Sequence, residues 1–139
     1  DKIIDTSINL NVPAYIENDY LPQAELRLEM YKRLAECKTL DELEILKDEI
    51  VDRFGPFSKT FQNLIELTKL KIISMPLMIK RIIGTNKRIE CTFDSESPIL
   101  ADNKTSNVLV FNPQEDNSIL FLQNTFLTII SNLKLDEAS

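Results

Sequence analysis

The sequence predicts an α+β fold: an N-terminal strand and three helices, then a small, mainly antiparallel sheet and a C-terminal helix. Three observations predict it. Apolar residues recur at helical spacing from Gln23 to Ile72. β-branched and aromatic residues cluster in short runs after Met78. Proline and glycine stand at the ends of these runs, at Pro13, Pro22, Gly55-Pro56, Pro76 and Gly84.

Asp5 to Val12 alternates, with Ile8, Leu10 and Val12 on one face and Ser7, Asn9 and Asn11 on the other, which predicts a strand with one buried side. Pro13 ends it, so residues 1 to about 21 form a lead-in strand and a link. Pro22 suits the first position of a helix. From Gln23 to about Cys37, Ala24, Leu28, Tyr31, Leu34 and Ala35 make an apolar stripe. Thr39-Leu-Asp-Glu42 is a capping box, in which the threonine hydroxyl accepts from a backbone N–H and the glutamate reaches back.

The second helix buries Leu40, Leu43, Leu46, Ile50 and Phe54. At about 100° per residue, Asp41, Glu44, Asp48 and Asp52 fall opposite, with Glu49 toward the edge and Ile45 left among the acids. Gly55 can take the left-handed conformation at the helix end, and Pro56 forbids continuation. Ser58 caps a third helix with Phe57 as a hydrophobic staple, and Phe61, Leu64, Ile65, Thr68 and Ile72 form its buried stripe. Pro76 limits it.

Ile79–Ile83 and Arg88–Phe93 predict a hairpin across Gly84-Thr-Asn-Lys87. Asp94 to Asn107 is polar and reads as a loop with one short helical turn. Val108–Phe111 and Ile119–Leu122 read as two more strands. Asn124 then caps a final helix through Phe126, Leu127, Ile130 and Leu133, and the tail from Asp136 frays.

The 139 residues are expected to form one domain. The net charge of -6 argues against tight non-specific binding to nucleic acid or an anionic membrane. No apolar run reaches the roughly eighteen residues that a membrane span needs. The start, Asp1-Lys-Ile-Ile, has neither a methionine nor a signal-peptide pattern, so a fragment of a larger protein is expected. Cys37 and Cys91 make no zinc site or redox pair by spacing; both are expected to be reduced and structural, in a cytoplasmic setting.

Absences narrow the chemistry. There are no histidines, so no Ser-His-Asp or Cys-His arrangement exists in this chain, and common zinc sites lack their ligands. Two distant glycines, Gly55 and Gly84, cannot build a phosphate-cradling loop, so no nucleotide cofactor is expected here. The acids lie along helix faces, whereas paired catalytic carboxylates need a cleft. No catalytic residue is assigned, and this chain is expected not to be an enzyme; a small carboxylate enzyme is the outlying alternative.

Two charged constellations remain. Asp48, Glu49 and Asp52 crowd the last turns of the second helix, where the macrodipole prefers cations. They form either a solvated outer surface or a docking face for an arginine-bearing partner. Glu49 and Asp52 stand at i and i+3, able to accept bidentate bonds from guanidinium groups, and Ile45 adds an apolar contact. A docking role requires that these acids face outward without counter-charge from their own fold. The second constellation is a basic run of Lys69, Lys71, Lys80, Arg81, Lys87 and Arg88 with no acid between Glu66 and Glu90. Either its members are scattered exposed bases or Lys80, Arg81, Lys87 and Arg88 contact phosphates; the aromatic interleaving used for stacking is missing. Arg33 precedes Glu36 by three residues, so a local ion pair is the default.

Ile8-Asn-Leu-Asn-Val-Pro-Ala-Tyr-Ile16, Asp19-Tyr-Leu-Pro22, Arg27-Leu28 with Tyr31-Lys-Arg-Leu-Ala35, and Asp52-Arg-Phe-Gly-Pro56 follow one another in order. Together they resemble the C-terminal domain of bacterial transcription-repair coupling factor, from about residue 6 to residue 75. The family tends to have a helical segment where Asp94 to Asn107 stands here.

The resemblance implies a parent protein that is an ATP- and Mg-dependent DNA translocase, which removes stalled RNA polymerase and recruits nucleotide excision repair. ATP, Mg and DNA binding would belong to the parent. It implies that this terminal domain is regulatory and autoinhibitory. It would pack on the N-terminal module that binds the A component of the excinuclease and mask it until RNA polymerase is engaged. By position the family's acidic contact residues match Glu49 and Asp52, with Asp48 and Ile45 beside them, leading into the Arg53-Phe54-Gly55-Pro56 turn. An accessory nucleic-acid-contacting domain of the same machine is the alternative.

Overall fold

The structure is a computed structural model, and it describes residues 3–100, 106–114 and 116–133. The chain divides into two compact units, one of residues 12–72 and one of residues 1–11 with 73–139.

The first unit is helical. It contains α1 (Ala24–Glu36), α2 (Leu40–Phe54) and the greater part of α3 (Lys59–Ser74). The α1 stripe differs from expectation. Met30 and Leu34 are its buried residues, with Leu26 and Cys37 packed beside them, while Leu28 is 71% exposed and Tyr31 and Ala35 are also exposed. Two apolar stripes compete on this helix, and the one carrying Leu26 and Met30 packs into the core with the stripes of the neighbouring helices. On α2 the expected stripe holds at Leu43, Leu46 and Ile50, whereas Leu40 is exposed. Thr39 Oγ1 accepts from Glu42 N at 3.1 Å, and Glu42 reaches back to Lys38 N at 2.7 Å, one residue before the cap. Phe61, Ile65 and Ile72 of α3 close the core, and Ser58 Oγ accepts from Phe61 N.

Side chains from the links wire this unit together. Tyr20 stands edge-on to Phe61 at 5.2 Å, and Phe57 contacts Phe61 at 4.9 Å. The Tyr20 hydroxyl donates to Gly55 O at 2.6 Å, and its burial raises its pKa. Arg27 donates to Leu21 O and Pro22 O, and Tyr31 accepts from Ile16 N. Thr60 donates to Glu17 at 2.7 Å; hydrogen bonds from Ser58 and Thr60 lower the pKa of that carboxyl.

The second unit is built on a four-stranded sheet of β1 (Ser7–Asn9), β2 (Ile79–Gly84), β3 (Ile89–Phe93) and β4 (Val108–Phe111), in that order. β1 is parallel to β2 and the other pairs are antiparallel. β1 is shorter than the predicted Asp5–Val12 because Asn11 turns to φ 55, a left-handed conformation that asparagine tolerates and an extended strand does not. In β2 the register slips between Ile79 and Arg81, so the buried Ile79 and Ile82 are three apart rather than two. The hairpin turns at Gly84, whose φ is 156 and where a Cβ would lie 2.2 Å from Arg88 O. A short turn at Pro98–Leu100 matches the expected helical turn in the loop, and residues 101–105 lie outside the described residues.

The fifth predicted strand, Ile119–Leu122, does not form. Ile119–Leu122 is the first part of α4 (Ser118–Leu133). Its buried Ile119, Leu122, Phe126 and Ile130 keep helical spacing, and a short apolar run does not by itself separate helix from strand. Asn117 provides the cap, its Oδ1 accepting from Leu120 N at 3.0 Å; Asn124, expected in that role, lies mid-helix. Phe111 meets both Phe121 and Phe126 edge-on, which places α4 on the Ile89–Cys91 face of the sheet. The tail from Asp136, expected to fray, lies outside the described residues. Among the described residues no helix is long and apolar enough to cross a membrane.

Candidate functional site

The outer face of α2 is fixed by its inner one. With Leu43, Leu46 and Ile50 in the core, Asp41, Glu44, Asp48 and Asp52 face solvent. Ile45 is 69% exposed among them, and Val51 is also exposed. The helix ends at Gly55, whose φ of 95 with ψ of -177 is a conformation for glycine, although outside the left-handed helical region expected. Its N–H reaches Val51 O at 2.9 Å. Arg53 lies over the Phe54 ring at 4.8 Å.

Glu49 differs from its neighbours. Arg33 of α1 donates from Nη1 to Glu49 Oε2 and from Nη2 to Glu49 Oε1, the second bond at 2.8 Å. Arg53 adds a looser contact at 3.4 Å. The Arg33 guanidinium holds the Glu49 carboxyl well below the usual carboxylate range, at about 2. The default pairing of Arg33 with Glu36 is therefore replaced by a fork between helices. The condition of no counter-charge from the same fold fails for Glu49. It holds for Asp48 and Asp52, which have no ion-pair partner among the described residues.

Nothing in the local sequence spacing announces the Arg33–Glu49 pair, since its members are 16 residues apart. A positional signal does exist: Arg33 precedes the buried Leu34 and Glu49 precedes the buried Ile50, so both flank the stripes that pack on each other.

Of the basic candidates, Lys80, Arg81, Lys87 and Arg88 lie in the sheet unit, in two groups. Lys80 and Arg81 are exposed at the start of β2. Lys87 and Arg88 occupy the turn, about 10 Å further along the ladder at ~3.3 Å per residue. Arg88 is paired with Glu90 at 2.6 Å. Lys69 and Lys71 are half-buried on α3. Both cysteines are free thiols; burial pushes Cys91 up to about 12 and raises Cys37. Among the described residues no cluster of acids and thiols could hold a metal ion.

Comparison with known proteins agrees with this architecture. The TRCF domain family matches residues 10–104, well beyond the motifs that end near Pro56. The chain is 41% identical over 75 residues to the transcription-repair-coupling factor of Haemophilus influenzae, covering 54% of this chain and 6% of that protein. It is 34% identical over 82 residues to that of Escherichia coli, covering 59% and 7%. For Rickettsia bellii the identity is 33% over 123 residues, covering 84% and 11%. The chain thus spans a small fraction of the length of the curated relatives it matches. The crystal structure of the C-terminal domain of a transcription-repair coupling factor superimposes with a TM-score of 0.79 at 20% identity, covering 95% of this chain and 98% of that one, which shows the same fold. The chain belongs to the TRCF domain family of the transcription-repair coupling factors.

Proposed function

We propose that this chain is a regulatory docking domain of a DNA-repair translocase and performs no chemical conversion itself. In this reading the outer face of α2 covers the module of the same polypeptide that binds the A component of the excinuclease. The cover lifts when the parent protein engages stalled RNA polymerase on DNA in the cytoplasm. ATP and Mg serve the parent's motor rather than this domain.

The observation that supports the reading is the exposed, uncompensated acidic face at Asp48 and Asp52, with Ile45 bare beside it. Such a face matches a partner surface bearing arginines and a small apolar contact. Each charge pair at a wet surface is weak. Several together reach a coupling of about 1–3 kcal/mol, enough to hold a latch that still opens. Glu49 contributes less directly than its neighbours because its oxygens are already engaged by Arg33.

Asp48→Arg with Asp52→Arg tests this without touching a fold contact. In the full-length protein the double variant should bind that excinuclease component about tenfold more tightly, with unchanged thermal unfolding. Unchanged affinity would remove the assignment.

A further inference from the structure

We propose that Arg33 is an internal competitor for the docking partner, holding Glu49 while the α2 face is free and yielding it to a guanidinium of the partner on docking. This rests on the docking role proposed above and adds how that docking is regulated.

Three features carry it. Arg33 engages both oxygens of Glu49 in the fork that a partner arginine would need, so the two cannot hold Glu49 in this geometry together. The pair is accessible: the Arg33 and Glu49 side chains are 35% and 36% exposed. Glu49 also lies within the candidate face, four residues after Ile45 and three before Asp52.

A displaced Arg33 has somewhere to go. An open groove of about 210 Å³ between α1 and α2 is lined by Arg33, Glu36, Cys37, Glu42, Ile45 and Leu46. Glu36 stands three residues after Arg33 and Glu29 four before it, both within reach on the same helix. Exchange therefore trades one guanidinium–carboxylate pair for another, while the released arginine finds a second acid. The net preference is small, and the strength of Arg33's hold sets how readily the domain docks. A lysine in the partner would compete poorly, because an ammonium cannot reproduce the fork.

The test is a cycle in the full-length protein, read as affinity for the excinuclease's A component and as thermal unfolding. Arg33→Gln should favour docking and weaken that affinity about two- to fivefold, and Arg33→Lys should fall between it and the parent. In a Glu49→Gln background the effect of Arg33→Gln should vanish, since the acceptor is gone. A merely structural Arg33 gives the opposite sign, because loosening α1 from α2 disturbs the docked face and raises the affinity. A raised or unchanged affinity in Arg33→Gln, with Asp48→Arg, Asp52→Arg still releasing the latch, overturns the exchange alone. If the double aspartate variant changes nothing, the docking role fails and the exchange fails with it.

Discussion

The helical unit and the sheet unit are held together by different means. In the sheet unit the backbone ladder joins strands far apart in sequence: Ser7 to Asn9 pair with Arg81 to Ile83, and β3 pairs with both neighbours. In the helical unit each helix satisfies its own backbone, so the links and the helix hairpin rely on side chains. Tyr20 to Gly55, Arg27 to Leu21, Arg33 to Glu49, Thr60 to Glu17 and Asn63 to Pro13 are the ties that do so. Pro13, Tyr20, Leu21, Arg27, Arg33 and Gly55 among these ties belong to the motifs that carry the family resemblance. Among the described residues Asp48, Asp52 and Ile45 make no such tie, which leaves them available to a partner.

The contrast predicts where each unit is most easily damaged. The largest effect should come from the backbone of the sheet unit. Gly84→Ala places a Cβ against Arg88 O and Ile89 Cα in a conformation that other residues rarely adopt. A loss of about 1–3 kcal/mol is expected, measurable by chemical denaturation; a neutral result would show that the hairpin turn is not built as described. A smaller effect should come from one side-chain tie of the helical unit. Tyr20→Phe keeps the ring packing on Phe61 and removes the bond to Gly55 O. It should cost about 0.5–1.5 kcal/mol in the same measurement. A cost near zero would mean the wiring is dispensable and the comparison between the units fails.

The smallest effect sharpens the comparison through pH. The Glu49 carboxyl sits at about 2 in the fold against an ordinary 4.5. Its folded pKa is depressed, so its stabilising contribution is complete above about 4.5 and is lost as pH falls toward about 2. The stability difference between the parent and Glu49→Gln should therefore shrink across that window in acid titrations. A difference that stays constant would show that the Arg33 fork is not formed in solution.

How legible these features were in the sequence follows the range of the forces involved. α2 was legible because every signal is local: the Thr39 cap, the Leu43, Leu46, Ile50 stripe and the Gly55 stop. The β2–β3 hairpin was legible for the same reason. The phase of α1 was not, because Leu28 and Met30 are both apolar at helical spacing and only the facing helices choose between them. The start of α4 was missed because Ile119 to Leu122 suits either period, and the Asn117 cap stands two residues before the apolar run. In the candidate site the outward acids were placed correctly on the helix, yet the charge state of their surroundings was not. Arg33 reaches Glu49 across a helix hairpin, and that choice over Glu36 depends on how α1 and α2 pack.

The two thiols give this protein a spectroscopic address. Cys91 is sealed within the sheet unit, while Cys37 opens onto the groove that Arg33 and Ile45 share. A maleimide fluorophore offered at mildly alkaline pH has one accessible attachment point in these two units, and it stands beside the arginine whose movement would be of most interest. Occupancy of the α2 face is thereby within reach of an emission change, with no residue of that face altered.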